Sequence, residues 1–507
     1  MKNSVVILDF GSQFTQLIAR RIRESGVYAE IFPFNYDIEK IKALEPKAII
    51  LSGGPFSVYD KEAPQRDLKP LDALAPLLGV CYGMQLMMHT FGGKVHSSEQ
   101  REYGLTAMQW QVPHAGFPDS QKVWMSHGDV VDRLAPGYEL HAKSNSGHPA
   151  VVKSEKNWCF QFHPEVSHTQ LGAELIEDFI FNHCAIEKNW DPQSTIQRLK
   201  KYIQDLVPEG DHVLCALSGG VDSTVMGTLL TQAIGADRVN CVFVDNGLLR
   251  KNEFTEVLEI YKKLGLNVQG VDASEDFLQA LAGQADPETK RKIIGSKFID
   301  VFKKSIDGLV PMQWLAQGTL YPDVIESVSL YGKSVTIKSH HNVGGLPEDL
   351  NLKLVEPLRE LFKDEVRAIG KELGIPRENL WRHPFPGPGL GIRIMGAITK
   401  EDLQILQNAD DVYIKALKEY DLYDKIWQAF CVLLPVHTVG VQGDSRTYDK
   451  VLAIRAVTSK DGMTADWFDF PPAFLREVSN RITNEVRGVN RVVYDVTSKP
   501  PGTIEWE

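Results

Sequence analysis

Short apolar runs, each closed by a glycine turn and followed by an amphipathic stretch, mark the first third of the chain. Val5–Leu8, Ala48–Leu51 and Leu77–Val80 are continuous apolar runs bounded by turn residues, and the pattern predicts buried strands there. Gln13–Glu24 and Met84–Phe91 read as helices. Strands alternating with helices in this way predict a parallel sheet with covering helices. Phe10-Gly11-Ser12 and Ser52-Gly53-Gly54-Pro55 follow two of the strands. In open α/β sheets ligands bind beyond the carboxyl ends of strands, so these turns are the first candidates for chemistry.

The pattern breaks near residues 188–194 and resumes with a helix over Thr195–Leu206 and strands over His212–Leu217 and Val239–Val244. It breaks again at Arg382-His383-Pro384-Phe385-Pro386-Gly387-Pro388-Gly389-Leu390, which is too rich in Pro and Gly to continue regular structure. The remainder is too short for a third α/β series; strands over Val451–Val457 and Val492–Val496 and a helix over Ala473–Val486 make it α+β. The expected fold class is therefore α/β, with two consecutive parallel-sheet domains (1–190 and 191–382) followed by a smaller α+β domain (383–507).

Length and composition agree with this division. The 507 residues suffice for about three domains, and 43% hydrophobic content is too high for a disordered chain. With 55 Lys plus Arg against 66 Asp plus Glu, the net charge is −11 and no basic run appears, so nucleic acid is not an expected partner. No apolar stretch approaches the ~20 residues that cross a bilayer, and the apolar run at the N-terminus is too short for a secretory signal, so no membrane partner and a cytoplasmic location are expected. The six cysteines are scattered without a C-x-x-C, which speaks against a zinc site and against a disulfide framework.

One cysteine has a distinctive setting. Gly79-Val80-Cys81-Tyr82-Gly83 joins a predicted strand to a predicted helix, the arrangement of a nucleophile elbow with sulfur in place of oxygen. The glycines suit a turn with little room for Cβ atoms, and a helix N-terminus surrounds the sulfur with a field that favours negative charge. By shape alone a buried structural cysteine would serve equally well. A second segment decides between the two: Trp158–Phe162 reads as a strand ending in His163-Pro164-Glu165, a base with a carboxylate two residues on. Cys81, His163 and Glu165 supply a nucleophile, a general base and its orienting group.

Ser52-Gly53-Gly54-Pro55, Gly79–Gln85 and Phe162–Glu165 resemble the motifs of class I glutamine amidotransferases. The resemblance implies that Cys81 attacks the glutamine side-chain amide, forming a glutamyl thioester and releasing ammonia. It also implies an oxyanion hole from the main-chain N–H groups of Gly54 and Tyr82, and glutamine contacts from Gln85, Ser126 and His127.

A different loop follows the strand at 212–217. Ser218-Gly219-Gly220-Val221-Asp222-Ser223 opens a helix, and its glycines let main-chain N–H groups approach phosphate oxygens. It lacks the lysine of a P-loop and carries Asp222, suited to Mg²⁺, together with the hydroxyls of Ser218 and Ser223. That composition fits a departing pyrophosphate better than γ-phosphoryl transfer. The string resembles the N-type ATP pyrophosphatases, which implies that Val244 and Leu248, around Asp245-Asn246-Gly247, lie at the adenine and ribose of ATP.

Three further segments, Gln317–Asp323, Lys338–Pro347 and Lys499–Glu507, make the whole chain similar to the glutamine-hydrolysing GMP synthetase family. The resemblance implies XMP, ATP with Mg²⁺, and glutamine as small-molecule substrates, and a homodimer formed through the C-terminal domain. It further suggests a lid from Lys338, His340 and His341, and XMP contacts from Arg291, Lys499 and Glu505. NAD synthetases and tRNA thiolases share the loop type. A thiolase needs persulfide-handling cysteines and a basic surface that this acidic chain lacks, and glutamine-dependent NAD synthetases usually carry a nitrilase-type amidase.

Overall fold

A computed structural model describes residues 5–306, 310–327, 352–442, 444–459 and 464–507. The chain divides between Asp191 and Pro192 into two compact units.

The first unit is built on a nine-stranded sheet. Its strands are β1 (Val5–Asp9), β2 (Ala29–Pro33), β3 (Ala48–Leu51), β4 (Leu77–Val80), β5 (Lys94–Trp110), β6 (Ser120–Arg133), β7 (Glu139–Ser144), β8 (Pro149–Lys153) and β9 (Trp158–Phe160), in the order β2-β1-β3-β4-β9-β8-β7-β5-β6. From β2 to β9 all neighbours are parallel; from β9 to β6 all are antiparallel. β1, β3 and β4 are buried throughout, as continuous apolar runs should be when both faces are covered. Helices Thr15–Glu24 and Tyr82–Thr90 follow β1 and β4. The four antiparallel strands depart from the sequence expectation of a parallel sheet. β5, with seven exposed residues among its first ten positions, carries no apolar signature, and β6 alternates buried with exposed or half-buried positions rather than running continuously apolar.

The second unit begins with the helix Pro192–Leu206. Its strands β10 (Val213–Leu217), β11 (Val239–Asp245), β12 (Val268–Asp272), β13 (Trp314–Ala316) and β14 (Lys353–Val355) form an all-parallel sheet in the order β12-β11-β10-β13-β14. A second sheet follows: β15 (Gln428–Gln442) and β16 (Ser445–Thr458) form a long antiparallel arm, β17 (Asp466–Trp467) pairs antiparallel with β16, and β18 (Val489–Tyr494) pairs parallel with it. Helices Lys400–Glu419 and Pro472–Glu485 cover this sheet.

One apolar core runs from Val242 and Val244 of β11 through Leu390 and Ile394 to Leu406, Leu452 and Ile482. The Pro- and Gly-rich segment at 382–390 therefore contributes Leu390 and the half-buried Phe385 to a core that continues on both sides of it. Gly389–Ile392 form a 3₁₀ turn where irregular chain was expected, anchored by Leu390 N–H donating to the Leu248 carbonyl at 2.8 Å. Gly389 has φ +62, and a Cβ there would stand 2.4 Å from the same carbonyl oxygen, so only glycine permits the approach.

Candidate active sites

Cys81 sits between β4 and the helix Tyr82–Thr90 with φ +51, a conformation rare for a residue with a side chain. Two contacts hold it there: Cys81 N–H donates to the Phe160 carbonyl at 2.7 Å, and Gly83 N–H donates to the Ser52 carbonyl at 3.1 Å. The flanking glycines are dictated by space. A Cβ on Gly79 would lie 2.7 Å from the main chain of Gly83, and one on Gly83 would lie 2.3 Å from the Leu51 carbonyl oxygen.

His163 lies just past the end of β9, which stops at Phe160 rather than Phe162. Its Nδ1 is 2.7 Å from Glu165 Oε1, so Nδ1–H donates to the carboxylate and Nε2 is left for the nucleophile. Phe14 packs edge-on against the ring at 5.1 Å, and a Cβ on Gly53 would lie 3.0 Å from the imidazole Cε1. Burial alone would favour the neutral ring. The charges of Glu165 and Cys81 and hydrogen bonds to both prevail, raising the His163 pKa well above its ordinary value. The structure thus brings Cys81, His163 and Glu165 together, all buried.

The surrounding residues fall into two groups. The Cys81 thiol points at the Ser126 carbonyl, 3.6 Å from Sγ, and Gln161 Nε2 lies 3.9 Å from the same sulfur. Gln85, one turn into the helix, donates to the Asp129 carbonyl at 3.0 Å. His127 Nδ1 donates to the Asp129 carbonyl at 2.9 Å and Nε2 lies 3.1 Å from Glu102 Oε2, so both ring nitrogens face protein groups. Gly54 is pressed against the Phe10 carbonyl, 2.6 Å from where a Cβ would be, and Tyr82 donates its hydroxyl to the Pro64 carbonyl. Gln161 and Glu102 stand out only in three dimensions; a glutamine after an apolar run and a glutamate in a polar strand have no local signature.

In the second unit, β10 runs into Ser218-Gly219-Gly220 and the helix Val221–Ile234. Gly219 has φ +75. The loop is closed on itself: Ser218 N–H donates to Ser223 Oγ at 3.2 Å, the two serine hydroxyls are 3.1 Å apart, and Ser223 and Thr224 hydroxyls donate to the Gly220 carbonyl. Tyr261 supports it from below, accepting from Gly219 N–H at 3.2 Å. Gly318, in the Gln317–Asp323 segment, lies alongside, with Asp222 and Ser223 main-chain atoms 3.9 Å from its Cβ position.

Asp222 has one carboxylate oxygen 3.5 Å from Lys363 Nζ and the other buried without a hydrogen-bond partner. Arg382 reaches the loop from the Pro-rich segment, donating to the Gly219 carbonyl at 3.4 Å and pairing with Glu253. Neither Lys363 nor Arg382 is conspicuous in the sequence, since each is a single cation in a polar stretch. Val244 and Leu248 are core residues, and both main-chain polar groups of Leu248 are taken, by Asn246 Oδ1 and Leu390 N–H.

At the C-terminal end, Glu505 accepts from Arg393 at 2.8 and 3.0 Å and from Gln428 at 2.7 Å. Arg291 donates to the Glu507 main-chain oxygen at 2.5 Å, beside a wholly buried Lys290 that pairs with the Glu507 side chain at 2.6 Å. The Lys499 main chain pairs with Ala465. Arg291 and Glu505 are thus tied to the last residues of the chain and their partners, while Lys499 is held by its main-chain pairing with Ala465. Lys338, His340 and His341 lie outside the described residues.

Comparison with known proteins covers the chain in three parts. A model of class-I glutamine amidotransferases matches residues 6–183, one of NAD synthase matches 193–297, and one of the GMP synthase C-terminal domain matches 415–506. The protein named GMP synthase [glutamine-hydrolyzing] of Bdellovibrio bacteriovorus is 64% identical over 502 residues, 99% of each chain. Its namesakes in Fusobacterium nucleatum, with 53% identity over all of both chains, and Chlorobaculum tepidum, with 54% identity over 99% of both, are similar throughout. Identity at this level along the full length places the chain in the family of glutamine-hydrolysing GMP synthases.

Proposed function

We propose that the protein makes GMP from XMP, with ATP as activating substrate and glutamine as amido donor, through two separate sites. The reaction is that of a carbon–nitrogen ligase of purine nucleotide synthesis, and both the amidotransferase part and the ATP-using part are present. The observation that carries the reading of the first site is the Nδ1–Oε1 contact of 2.7 Å between His163 and Glu165 beside the Cys81 elbow.

In the first unit Cys81 attacks the glutamine amide carbon, and His163 passes a proton to the departing nitrogen. Glu165 keeps the ring in the right tautomer and compensates its charge. Gly54 and Tyr82 N–H groups receive the oxyanion, with Gln85 and the Ser126–Asp129 segment around the substrate. Water then hydrolyses the thioester, and glutamate leaves.

In the second unit the C2 oxygen of XMP attacks the α-phosphorus of ATP, and pyrophosphate departs against Ser218–Ser223. Ammonia then displaces AMP at the same carbon. Mg²⁺ fits Asp222, whose buried oxygen lacks a partner, and would neutralise charge on the phosphates. Among the described residues no group of three or more His, Cys, Asp or Glu could hold a metal, so the nucleotide itself would supply other ligands. Arg291, Lys499 and Glu505 form the XMP side, and Lys338, His340 and His341 the lid.

This reading retains three functional parts, 1–190, 191–382 and 383–507. A homodimer through the last part is supported by the β15–β16 arm, where Val439, Val441 and Tyr448 are exposed apolar side chains. No helix among the described residues is long and apolar enough to cross a membrane, and we assign the protein to the cytoplasm.

The test is product analysis with MgATP, XMP and ammonium in the absence of glutamine. AMP, pyrophosphate and GMP in equal amounts are expected; absence of product from folded, ATP-binding protein would overturn XMP as the acceptor.

A further inference from the structure

Ser126 and Asp129, which border Cys81 and Gln85, lie on β6, whose partner β5 places Glu102 directly opposite His127. Both side chains are buried, with exposures of 5% for Glu102 and 4% for His127. His127 Nδ1 faces a carbonyl, which only accepts, so that nitrogen carries a proton and the ring orientation is fixed. Nε2 then faces Glu102 Oε2 at 3.1 Å, so the carboxylate lies against the second ring nitrogen. A buried carboxylate without such partners would be costly. Here burial is outweighed by His127, Ser144 and Ser146, which bring the Glu102 pKa below the ordinary carboxylate value.

The Asp129 carbonyl joins this pair to the site. It accepts from both His127 Nδ1 and Gln85 Nε2, while the Asp129 carboxylate accepts from the Tyr59 hydroxyl at 2.9 Å. Gln85 also lies 3.4 Å from Gln161 Oε1, and Gln161 reaches the Cys81 sulfur. Glu102, His127, Asp129, Gln85 and Gln161 therefore form one buried polar chain that ends at the nucleophile.

We infer that Glu102 is a positioning residue of the glutamine site: by holding His127 it sets the Ser126–Asp129 edge against Cys81 and Gln85. Glu102 does not touch the reacting atoms, and the intrinsic reactivity of Cys81 does not depend on it. This role rests on the reading of Cys81 as the glutaminase nucleophile.

Two variants of the full-length protein test it, Glu102→Gln and Glu102→Ala. Glutamine-driven synthesis should show KM for glutamine raised about tenfold in the alanine variant and by a smaller factor in the glutamine variant, which keeps an acceptor oxygen. The second reading is the alkylation rate of Cys81 by two reagents, iodoacetamide and a chloroketone analogue of glutamine. Labelling by the chloroketone should slow by the same factor as KM rises, and labelling by iodoacetamide should stay within about twofold of the wild type. Ammonium-driven synthesis should be unchanged.

An unaltered KM and unaltered chloroketone labelling in Glu102→Gln would overturn the inference, and that variant decides if Glu102→Ala fails to fold. Equal slowing with both reagents would overturn it too, since the defect would then be in the Cys81 turn. Wild-type protein that makes GMP from ammonium yet is labelled at Cys81 by neither reagent would refute the underlying reading of Cys81 instead.

Discussion

Lys363 Nζ stands 3.5 Å from Asp222 Oδ2, so a loop with no lysine of its own acquires one from the start of a distant helix. The Ser218–Ser223 loop otherwise offers neutral donors and a carboxylate, a poor setting for several phosphate negative charges. A lysine beside Asp222 leaves the acidic group less exposed to repulsion when phosphates arrive, and Arg382 at Gly219 adds a second cation.

Asp222→Asn should therefore lower GMP synthesis on the order of a hundredfold or more with either nitrogen source, since the loss is in adenylylation. Glutaminase chemistry at Cys81 does not use the residue. Steady-state rates with glutamine and with ammonium check this, and normal turnover would remove Asp222 from the nucleotide site.

Cys81→Ala should abolish synthesis from glutamine and leave synthesis from ammonium intact. Loss of both in a folded protein would contradict the division between two sites. The comparison needs only two assays on one preparation.

Gly83→Ala should destabilise the first unit by roughly 3 kcal/mol, because the new Cβ meets the Leu51 carbonyl of a central strand at 2.3 Å. A main-chain atom in β3 has no direction in which to give way. Denaturant unfolding of the variant is the measurement, and wild-type stability would show that the turn can relax.

His383 makes stability depend on pH. Its Nε2–H donates to the Tyr423 carbonyl at 2.9 Å, its Nδ1 accepts from Ala429 N–H at 3.2 Å, and the ring stacks on Tyr423 at 3.8 Å. Burial lowers its pKa to about 4, with Arg250 adding to the effect. Above the ordinary histidine pKa of about 6.5 neither state binds the proton. As pH falls from there toward 4 the unfolded chain takes up a proton that the folded chain refuses, so stability drops by roughly 3 kcal/mol and then levels off. Urea unfolding of the wild type at pH 7 and pH 4.5 should show the loss, and His383→Gln, which can keep both hydrogen bonds, should reduce it. An equal pH dependence in the two proteins would assign it to other groups.

Much of both sites is legible in the sequence because their central pieces are local. Gly79–Gly83 and Ser218–Ser223 each lie between a strand and a helix, and a strand–turn–helix is written in a few consecutive residues. The edges of β1, β3, β4 and β10 follow from short apolar runs for the same reason. His163 and Glu165 are adjacent enough for their contact to be foreseen.

What only the tertiary structure decides is how distant segments register. Glu102 meets His127 because β5 and β6 pair with a particular offset, interrupted by irregularities between Ser97 and Glu102, and no local pattern encodes that offset. Lys363 and Arg382 reach Asp222 and Gly219 through packing of separate elements. Glu505 is bound by Arg393 and Gln428, partners that no local pattern around this expected XMP contact announces. The long antiparallel strands β5 and β6 of the first sheet were hidden for a related reason: many of their side chains face solvent, and side-chain polarity there reports exposure rather than pairing. Local chemistry is thus written in neighbouring residues, while partners across the fold are set by strand register and by which faces must be buried together.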